Sequence, residues 1–368
     1  MGEIGKPLRV LQVLTGMGSG GVEAFLMNMY RYMDRSKIQF DFLLRSRENI
    51  YEKEIKNLGG KIFYSASFPK HYLKNKQQVR EILAKNSYSV IHVHANALLY
   101  MTALIEAKRM GIPCRIMHSH STAAKYSWTL PIHKFNQKRI ENLATRELAC
   151  SENAAKWMFG HPCLIVKNAI NLERFQYNEY TRAALRHKLG ISDDTFVLGH
   201  VGRFLPVKNH QFILNVFSEI IKQKKKAVLI LVGTGELFQK IQIMAEKMAI
   251  IENIHFLGVR TDIDCILNIF DAFIFPSLYE GLGISVIEAQ ANGLSVFCSE
   301  NIPKEACISN SVHRINLSLG AKYWAEQILN TENTRTNNLT LLCEAGYNIY
   351  EECARLQNIY FSESGILL

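Results

Sequence analysis

The sequence predicts an α/β protein built from two Rossmann-like, doubly wound domains in series. Short apolar runs rich in Val and Ile alternate with helical patterns along most of the 368 residues. Continuous apolar strands separated by helices are typical of a parallel sheet that is covered on both faces. The alternation pauses near residue 170 and begins again near residue 196. Two sheets in succession therefore account for the length of the chain.

The first half of the chain supplies the strands of the first predicted sheet. LRVLQVL ends in a glycine-rich turn, and the next segment repeats apolar residues at helical spacing from Val22 to Met33. Alternating strand and helix patterns follow as far as residue 170. The candidate strands are 8–14, 39–44, 61–66, 89–95, 114–120, 146–151 and 163–170.

The second half repeats the pattern, with candidate strands at 196–203, 227–235, 254–259, 271–277 and 294–299. The boundary between the domains is expected near residues 171–181, after the last strand of the first half. We predict a first domain over 1–172 and a second over 173–349.

Composition and cysteine usage point to a reduced, cytoplasmic protein. The eight cysteines are scattered and form no C-x-x-C, which favours buried thiols over a disulfide framework or a zinc site. The first residues lead directly into a strand pattern and lack the apolar core of a signal peptide. No apolar run approaches the roughly 20 residues that a membrane span needs.

Charge is divided unevenly along the chain, whose net charge is +10. Residues 1–190 contain 29 Lys and Arg against 14 Asp and Glu, and residues 191–368 contain 14 against 19. A basic first half suits nucleic acid, an anionic membrane or a phosphorylated ligand, and a well-solvated surface is the plainer interpretation.

Glycines follow the first strand in LTGMGSGGVE, where Gly20 and Gly21 precede the first helix. Glycine lets a ligand approach the backbone, and a helix N-terminus offers free N–H groups to an anion. The spacing is not G-x-G-x-x-G, and no acidic residue ends the second strand to bind a ribose, which disfavours a dinucleotide dehydrogenase. A tight turn without a ligand is the alternative.

Two motifs of the second half lie where strands are expected to end. HVGRFLPVKNH places Arg203 just beyond a strand and Lys208 five residues later, a pair that suits a diphosphate. FPSLYEGLGISVIEAQANG reads as a buried strand, a loop with Glu280 and a helix with Glu288. Two carboxylates could be the acid and base of a glycosidase, but the glycines between them favour anion binding.

The chain resembles the retaining, nucleotide-sugar-dependent glycosyltransferases of family four, and most of all bacterial enzymes of capsule and exopolysaccharide synthesis. The motifs occur in the expected order over most of residues 8–305, and the Glu-x7-Glu pattern between strand and helix is specific. The matching segments are GSGGVEAFLMN, HSHST, IVKNAINLERF, VGRFLPVKNH, LVGTGE, IHFLG and FPSLYEGLGISVIEAQANGLSV.

The resemblance implies the B-type fold (GT-B), in which two Rossmann-like domains face each other across a cleft. It implies that Arg203 and Lys208 bind the donor's diphosphate, Glu288 the ribose and Glu280 the hydroxyls of the donor sugar. The loop of Gly20 and Gly21 would lie near the diphosphate and the acceptor. The final helix, about 350–368, would join the first domain. The remaining expected donor-binding residues are Leu282, Gly283, Ile284, Gly202 and Val259.

The resemblance also implies a histidine near the reacting sugar, after the strand that contains RIM. His118 and His120 both lie near that position, and we expect His120 to be the active-site residue because it is further beyond the strand. Asn168 matches the family, whereas Ala169 stands where glycine is more frequent, which suits a turn without a positive φ. Asn168 and His118 are therefore candidates for acceptor binding or for structural roles.

The expected reaction is transfer of a hexosyl unit from a nucleotide-diphosphate sugar to a saccharide with retention of configuration, and the expected donor is a UDP-sugar. We expect no cofactor and no metal, since no Asp-x-Asp appears in a donor-site loop, and no nucleic-acid partner. A non-hydrolysing nucleotide-sugar epimerase and a nucleotide-sugar-binding protein without turnover are the alternatives.

The acceptor is expected to bind the basic first domain. The segments 70–80 and 125–139 mix Lys and Arg with aromatic residues, a composition that suits the headgroup region of an anionic membrane. A polyprenyl-diphosphate-linked saccharide at the inner face of the cell membrane is the corresponding acceptor hypothesis.

Overall fold

A computed structural model describes residues 6–18, 20–123, 126–224, 226–332 and 334–365. It divides the chain into two compact units. Unit 1 contains residues 1–170 together with 348–368, and unit 2 contains residues 171–347. The chain therefore leaves unit 1, builds unit 2 and returns to unit 1 for one last helix.

Unit 1 contains a seven-stranded parallel sheet with the strand order β3-β2-β1-β4-β5-β6-β7. The order reverses between β1 and β4, and in sheets of this class ligands bind outside the carboxyl ends of the strands at that point. The strands are β1 Leu8–Leu14, β2 Ile38–Leu44, β3 Ile62–Tyr64, β4 Val90–Ala95, β5 Cys114–Ser119, β6 Arg146–Ala149 and β7 Leu164–Ile165.

Helices cover both faces of this sheet, as its buried strands require. One apolar cluster joins the strands to the first and the last helix of the unit, and a second cluster lies on the opposite face. The helices are α1 Gly21–Tyr32, α2 Glu52–Asn57, α3 Tyr72–Lys85, α4 Thr102–Arg109, α5 Leu130–Gln137, α6 Glu152–Phe159 and α14 Ile349–Ser364.

The returning helix α14 is held in the core of unit 1. The side chain of its N-cap, Asn348, accepts a hydrogen bond from the amide of Tyr350. The backbone of Asn348 forms a parallel β-bridge with Ile170. Tyr32 of α1 meets the Tyr350 ring edge-on at 5.3 Å, and the Cys353 thiol donates to the Met29 carbonyl at 3.5 Å. Tyr360, fully buried, extends from α14 beneath the sheet's central strands.

Unit 2 contains a six-stranded parallel sheet with the order β10-β9-β8-β11-β12-β13, which reverses between β8 and β11. Its strands are β8 Phe196–Val201, β9 Ala227–Val232, β10 Ile254–Gly258, β11 Ala272–Phe275, β12 Ser295–Ser299 and β13 Val312–Ile315. Its helices are α7 Glu179–Lys188, α8 His210–Gln223, α9 Phe238–Lys247, α10 Ile263–Leu267, α11 Ile284–Ala291, α12 Gly320–Asn330 and α13 Leu339–Glu344.

The predicted fold class is confirmed: both units are α/β with parallel, doubly wound sheets. Every predicted strand is present, and most are shorter than predicted because their last residues belong to the loops beyond the carboxyl edge. Strand β13 was missed, since Val312–Ile315 is a short edge strand with His and Arg in its middle. The first unit ends at residue 170, whereas the predicted boundary followed residue 172. The final helix α14 spans Ile349–Ser364, whereas the prediction was about 350–368.

Among the described residues, no helix combines the length and the apolar character needed to cross a membrane.

Close packing in the centre of unit 2 depends on one glycine of β8. A Cβ added to Gly199 would lie only 2.1 Å from the Phe270 ring, which is fully buried. We expect Gly199→Ala to lower the free energy of unfolding by about 1–3 kcal/mol, the usual cost of overpacking a core.

Chemical denaturation measures this loss, and Gly21→Ala is the matched control. A Cβ added to Gly21 meets nothing within 4 Å, and alanine is the better helix former there. Equal stability of wild type and Gly199→Ala would show that Phe270 moves aside without cost.

Candidate active site

The carboxyl edge of unit 2 brings most of the predicted donor-binding residues onto one sheet, around the point where β8 and β11 diverge. Gly202 and Arg203 follow β8, and the loop 276–283 follows β11. The Gly202 amide donates to the Val232 carbonyl at 3.0 Å. A Cβ at Gly202 would lie 2.8 Å from Nε2 of the buried His200, so the imidazole occupies the space where a side chain would begin.

Arg203 is an exposed cation at this edge. Its guanidinium makes no hydrogen bond or ion pair with any residue that the structure describes, although its carbonyl accepts from the Leu205 amide at 2.7 Å. An exposed guanidinium without a carboxylate partner is available to bind an anion.

Lys208 and Glu280 form an ion pair, which sequence reasoning did not foresee. Their Nζ and Oε1 atoms lie 2.6 Å apart, and only 16% and 13% of the two side chains is exposed. The Lys208 ammonium also lies 4.5 Å from the centre of the Phe275 ring. The residues assigned to the diphosphate and to the donor sugar therefore neutralise each other in this structure.

The loop after β11 presents free backbone donors at the start of α11. Gly283 is the N-cap and has φ +87, a conformation that favours glycine, and no side chain caps the helix. The amides of Leu282, Gly283 and Ile284 donate to no acceptor within the described ranges. Free N–H groups at a helix start attract a negatively charged group.

Glu288 is the fifth residue of α11 and is partly buried. Burial, and after it the nearby Asp264 carboxylate, raises the pKa of Glu288 to about 7, while Arg174 acts in the opposite direction. Arg174 itself contacts Asp264, with Nη2 and Oδ1 2.8 Å apart. Sequence reasoning missed these two neighbours, since nothing in their local sequence links them to α11.

Val259 lies apart from these groups, 60% exposed, directly after β10 at the same edge of the sheet. Strands β9 and β8 separate β10 from β11 in the sheet, and so separate Val259 from the loop of Glu280.

The predicted glycine loop of unit 1 leads into α1. Gly20 is the N-cap of this helix, with no side-chain cap, and Gly21 is its first residue. The space beside Gly20 is taken by the Glu23 carboxylate. Ser19, inside the motif used for the resemblance, lies outside the described residues.

His118 and His120 belong to a cluster of four histidines. His118 is buried at the penultimate position of β5, and His120 follows that strand. His118 Nδ1 is 3.2 Å from His92 Nε2, and His120 Nε2 is 2.9 Å from His94 Nδ1, both partners being on β4. Burial lowers the pKa of His120 to about 3, so its ring is neutral at physiological pH.

The sequence contained a signal for this cluster, the two histidines two residues apart in VIHVHA, which place both side chains on one face of a strand. Asn168 lies after β7, and its Oδ1 atom is buried with no hydrogen-bond partner in the described part of the chain. Ala169 is not among the described non-glycine residues with positive φ, which explains why alanine is accepted there.

The fold is that of a Rossmann-like protein, and this edge carries cations, free amides and carboxylates, which are groups able to bind phosphate oxygens and hydroxyls. Two family models match the chain. Residues 19–174 match "Glycosyltransferase Family 4", and residues 181–314 match "Glycosyl transferases group 1".

Relatives and solved structures agree with these matches. A putative glycosyltransferase of Bacillus subtilis, EpsF, is 34% identical over 96% of both chains. An Escherichia coli UDP-Gal:α-D-GlcNAc-diphosphoundecaprenol α-1,3-galactosyltransferase is 25% identical, covering 78% of this chain and 79% of its own. CapH, a capsular polysaccharide biosynthesis glycosyltransferase of Staphylococcus aureus, is 24% identical over 97% and 99%.

A glycosyltransferase structure from Rickettsia africae covers 97% of this chain and 98% of its own, with 16% identity and a TM-score of 0.77. HepE of Anabaena, solved with UDP and glucose, covers 97% and 95%, with 16% identity and a TM-score of 0.68. The chain belongs to the glycosyltransferases of family four and has their GT-B type of fold.

The raised pKa of Glu288 makes a prediction about stability. A carboxyl whose pKa rises from 4.5 to about 7 on folding holds its proton more tightly in the folded state, so it destabilises the fold as pH rises through that window. Glu288→Gln should therefore be more stable than wild type at pH 8, by of order 1–3 kcal/mol, with the difference shrinking towards pH 5.

Urea unfolding at pH 5, 6, 7 and 8 provides the measurement, with Glu252→Gln, at an exposed position of unit 2, as the control variant. A constant difference between Glu288→Gln and wild type across this range would mean that Glu288 does not titrate there.

Proposed function

We propose that this glycosyltransferase moves a hexosyl unit from a UDP-sugar to a lipid-linked saccharide, with retention of configuration, in the synthesis of a bacterial surface polysaccharide. The observation that carries the proposal is the carboxyl edge of unit 2, where three kinds of binding group follow the neighbouring strands β8 and β11. These groups are the unpaired Arg203, the ion pair of Lys208 with Glu280, and the free amides of Leu282, Gly283 and Ile284. UDP and the lipid-linked acceptor are supported by the names of the Escherichia coli relative and of the HepE structure.

The donor is bound by complementary groups. Arg203, Lys208 and the amides at the start of α11 take the diphosphate, since each is a positive charge or an N–H donor. Glu288 accepts hydrogen bonds from the ribose hydroxyls, a task for an acceptor-only carboxylate. Glu280 accepts hydrogen bonds from hydroxyls of the donor sugar.

The ion pair of Lys208 and Glu280 has a natural place in this scheme. In this structure the Lys208 and Glu280 charges satisfy each other at 2.6 Å. A diphosphate offers Lys208 a second, more highly charged partner, and Glu280 then has an oxygen free for a sugar hydroxyl. The pair thus orders both side chains at the edge where we place the donor.

In the reaction, the bond between the anomeric carbon and the diphosphate oxygen breaks, and both electrons remain on that oxygen. The acceptor hydroxyl forms the new bond on the same face of the sugar, and its proton passes to the departing phosphate oxygen. Negative charge grows on the diphosphate as the bond breaks. Arg203, Lys208 and the amides bind the transition state more tightly than the donor because they meet this growing charge.

We further propose that these side chains and amides supply the positive charge, with no metal in the reaction. Turnover should then persist in excess EDTA, and a requirement for a divalent cation would contradict this part of the proposal.

The donor site predicts the effect of removing one cation. Arg203→Ala should lower kcat/KM for the UDP-sugar by about 10²–10³, the scale for loss of one preorganised donor to a developing anion. Lys222→Ala is the matched control, because this exposed residue lies near the end of α8 that is remote from the carboxyl edge.

Steady-state transfer assays compare the variants, and UDP-dependent thermal stabilisation reports binding separately. A nucleotide at 100 times its dissociation constant adds about 2.7 kcal/mol of stability. Wild-type turnover in Arg203→Ala would contradict the assignment of Arg203 to the donor diphosphate. Binding of UDP-sugar without any transfer would instead support a binding protein.

The acceptor side of the proposal rests on an aromatic and basic surface of unit 1. We define the aromatic–basic surface as the segment 126–139, in which the exposed aromatics lie beside cations. Trp128 is 70% and Phe135 61% exposed, and the Arg139 guanidinium lies 5.1 Å from the centre of the Phe135 ring. Tyr72 and Leu73 are exposed in the other predicted segment, 70–80. Lys125, the first residue of the segment 125–139, lies outside the described residues.

Aromatic side chains in the headgroup region and cations near anionic lipids are the two contributions expected of an interfacial surface. We propose that the aromatic–basic surface binds the anionic inner face of the cell membrane, where a polyprenyl-diphosphate-linked acceptor is present. Each Lys or Arg that reaches the membrane adds about 1 kcal/mol to the binding free energy. Because only a few of these residues can lie on one face at once, we expect the binding to be reversible.

This surface predicts salt-sensitive binding to vesicles. The full chain should sediment with anionic vesicles at 0.1 M salt and dissociate at 1 M, because the Debye length falls from about 10 Å to about 3 Å. The double variant Trp128→Ala, Phe135→Ala should bind more weakly. Tyr180→Ala, which removes an 87% exposed aromatic from unit 2, is the control and should bind as wild type.

Equal binding to neutral vesicles would indicate an apolar anchor and not this charged surface. An absence of binding to either kind of vesicle would favour a soluble acceptor.

A further inference from the structure

A chain of hydrogen bonds joins the histidine cluster of unit 1 to the returning helix α14. Gln12 of β1 and Tyr360 of α14 lie at the centre of this chain, and both are fully buried. The Gln12 Nε2 atom is 3.2 Å from the Tyr360 hydroxyl, and the Gln12 Oε1 atom is 2.8 Å from His94 Nε2. The Tyr360 hydroxyl is 2.8 Å from His92 Nδ1. Two branches therefore begin at one glutamine and end at His118 and His120.

The branch to His118 has a defined direction. The Gln12 amide nitrogen can only donate, so the Tyr360 oxygen accepts from it. The buried hydroxyl proton has a partner if it goes to His92 Nδ1, 2.8 Å away, and this gives the branch its direction. A neutral imidazole that accepts at Nδ1 carries its proton on Nε2. His92 therefore donates from Nε2 to His118 Nδ1. His118 in turn carries its proton on Nε2, an atom that is buried with no partner among the described residues.

The branch to His120 is fixed by the other end of the same amide. The Gln12 carbonyl can only accept, so His94 donates to it from Nε2 and presents a lone pair at Nδ1. His120 donates to that lone pair from Nε2. The remaining nitrogen, His120 Nδ1, is then an acceptor, and it too has no partner in the described part of the chain.

The direction of both branches depends on the orientation of the Gln12 amide, and the branch to His118 also passes through the Tyr360 hydroxyl. Turning the Gln12 amide over would reverse every bond in each branch, and His120 Nδ1 would become a donor. Burial of the rings lowers the pKa of all four histidines, so none of them supplies a charge that would set the direction independently.

A metal ion is a weaker explanation of the cluster. Ring nitrogens of His92, His94 and His118 come within 4.8 Å of one another, close enough to be considered as ligands. Both nitrogens of His92 and both of His94 already have hydrogen-bond partners. A metal could bind there only after these bonds were broken.

We propose that Tyr360 and Gln12 are positioning residues that hold His118 and His120 as their Nε2–H tautomers. The lone pair that His120 then carries at Nδ1, a buried atom with no partner among the described residues, is the acceptor that we assign to a sugar hydroxyl. This last role rests on the proposed function, whereas the tautomers do not. The inference gives α14 a part in the chemistry of unit 1, although 240 positions of the chain separate Tyr360 from His120.

The test uses nitrogen NMR of the full chain labelled with ¹⁵N-histidine, because the two neutral tautomers give different ring-nitrogen shifts. In wild type, His118 and His120 should each appear as a single Nε2–H tautomer. In Tyr360→Phe the hydroxyl that orients Gln12 and His92 is lost, so both histidines should show mixed tautomers. Single variants His118→Gln and His120→Gln assign the signals.

Tyr30→Phe is the matched control for stability. Tyr30 is also fully buried in unit 1, and its hydroxyl donates to a glutamine side chain, Gln39, at 2.8 Å. It should lose similar stability and leave the histidine signals unchanged. Tyr360→Phe should also lower kcat by about 10-fold to 100-fold, the range known for outer partners of metal-bound histidines, while KM for the donor changes by less than about two-fold.

Nδ1–H tautomers in wild type, or unchanged tautomers in Tyr360→Phe, would overturn the proposal. Stoichiometric zinc that shifts the ring-nitrogen signals of His92, His94 and His118 and resists removal by a chelator would overturn it as well. Correct tautomers in a protein without sugar transfer would leave the positioning role standing and contradict the proposed function alone.

Discussion

Because the parallel strands of each unit are buried on both faces, functional side chains can lie only where the strands end. Their interiors are apolar, so polar and charged side chains collect where strands end. In unit 2 the strand order reverses between β8 and β11, and the loops that leave these strands diverge there. At Gly202 a side chain would collide with the His200 ring. Gly283, the N-cap of α11, has φ +87, a conformation that other residues rarely adopt. The free amides, the cation of Arg203 and the pair of Lys208 with Glu280 all depend on this divergence.

Much of this was predictable from sequence because it is local. A strand such as LRVLQVL is apolar throughout, so its burial can be read directly from the residues. Glu280 and Glu288 flank two glycines between a buried strand and a helix, and the spacing alone placed one in a loop and one in α11. The same reasoning missed β13, whose sequence VHRI carries two polar residues and resembles a loop.

Interactions between distant residues were not predictable in this way. Lys208 and Glu280 are 72 positions apart, and their local motifs predicted a separate ligand for each without indicating that the two residues pair. Asp264 and Arg174 influence Glu288 from α10 and from the segment before α7, and their contact is across 90 positions. Gln12 and Tyr360 meet across 348 positions. Such contacts follow from sheet order and helix packing, which local patterns do not specify.

The late return of the chain to unit 1 has a consequence for biosynthesis. A ribosome adds roughly 5–20 residues per second, and domains usually fold as units as they emerge. Residues 1–170 leave the ribosome long before Asn348–Ser364, so unit 1 waits for the whole of unit 2 to be translated before α14 can cover its apolar face. During that interval Met29, Phe40 and their neighbours lack the partners that α14 provides. The nascent chain therefore passes through a stage in which unit 2 can be complete while unit 1 still exposes part of its core, and chaperones would meet the protein at this stage.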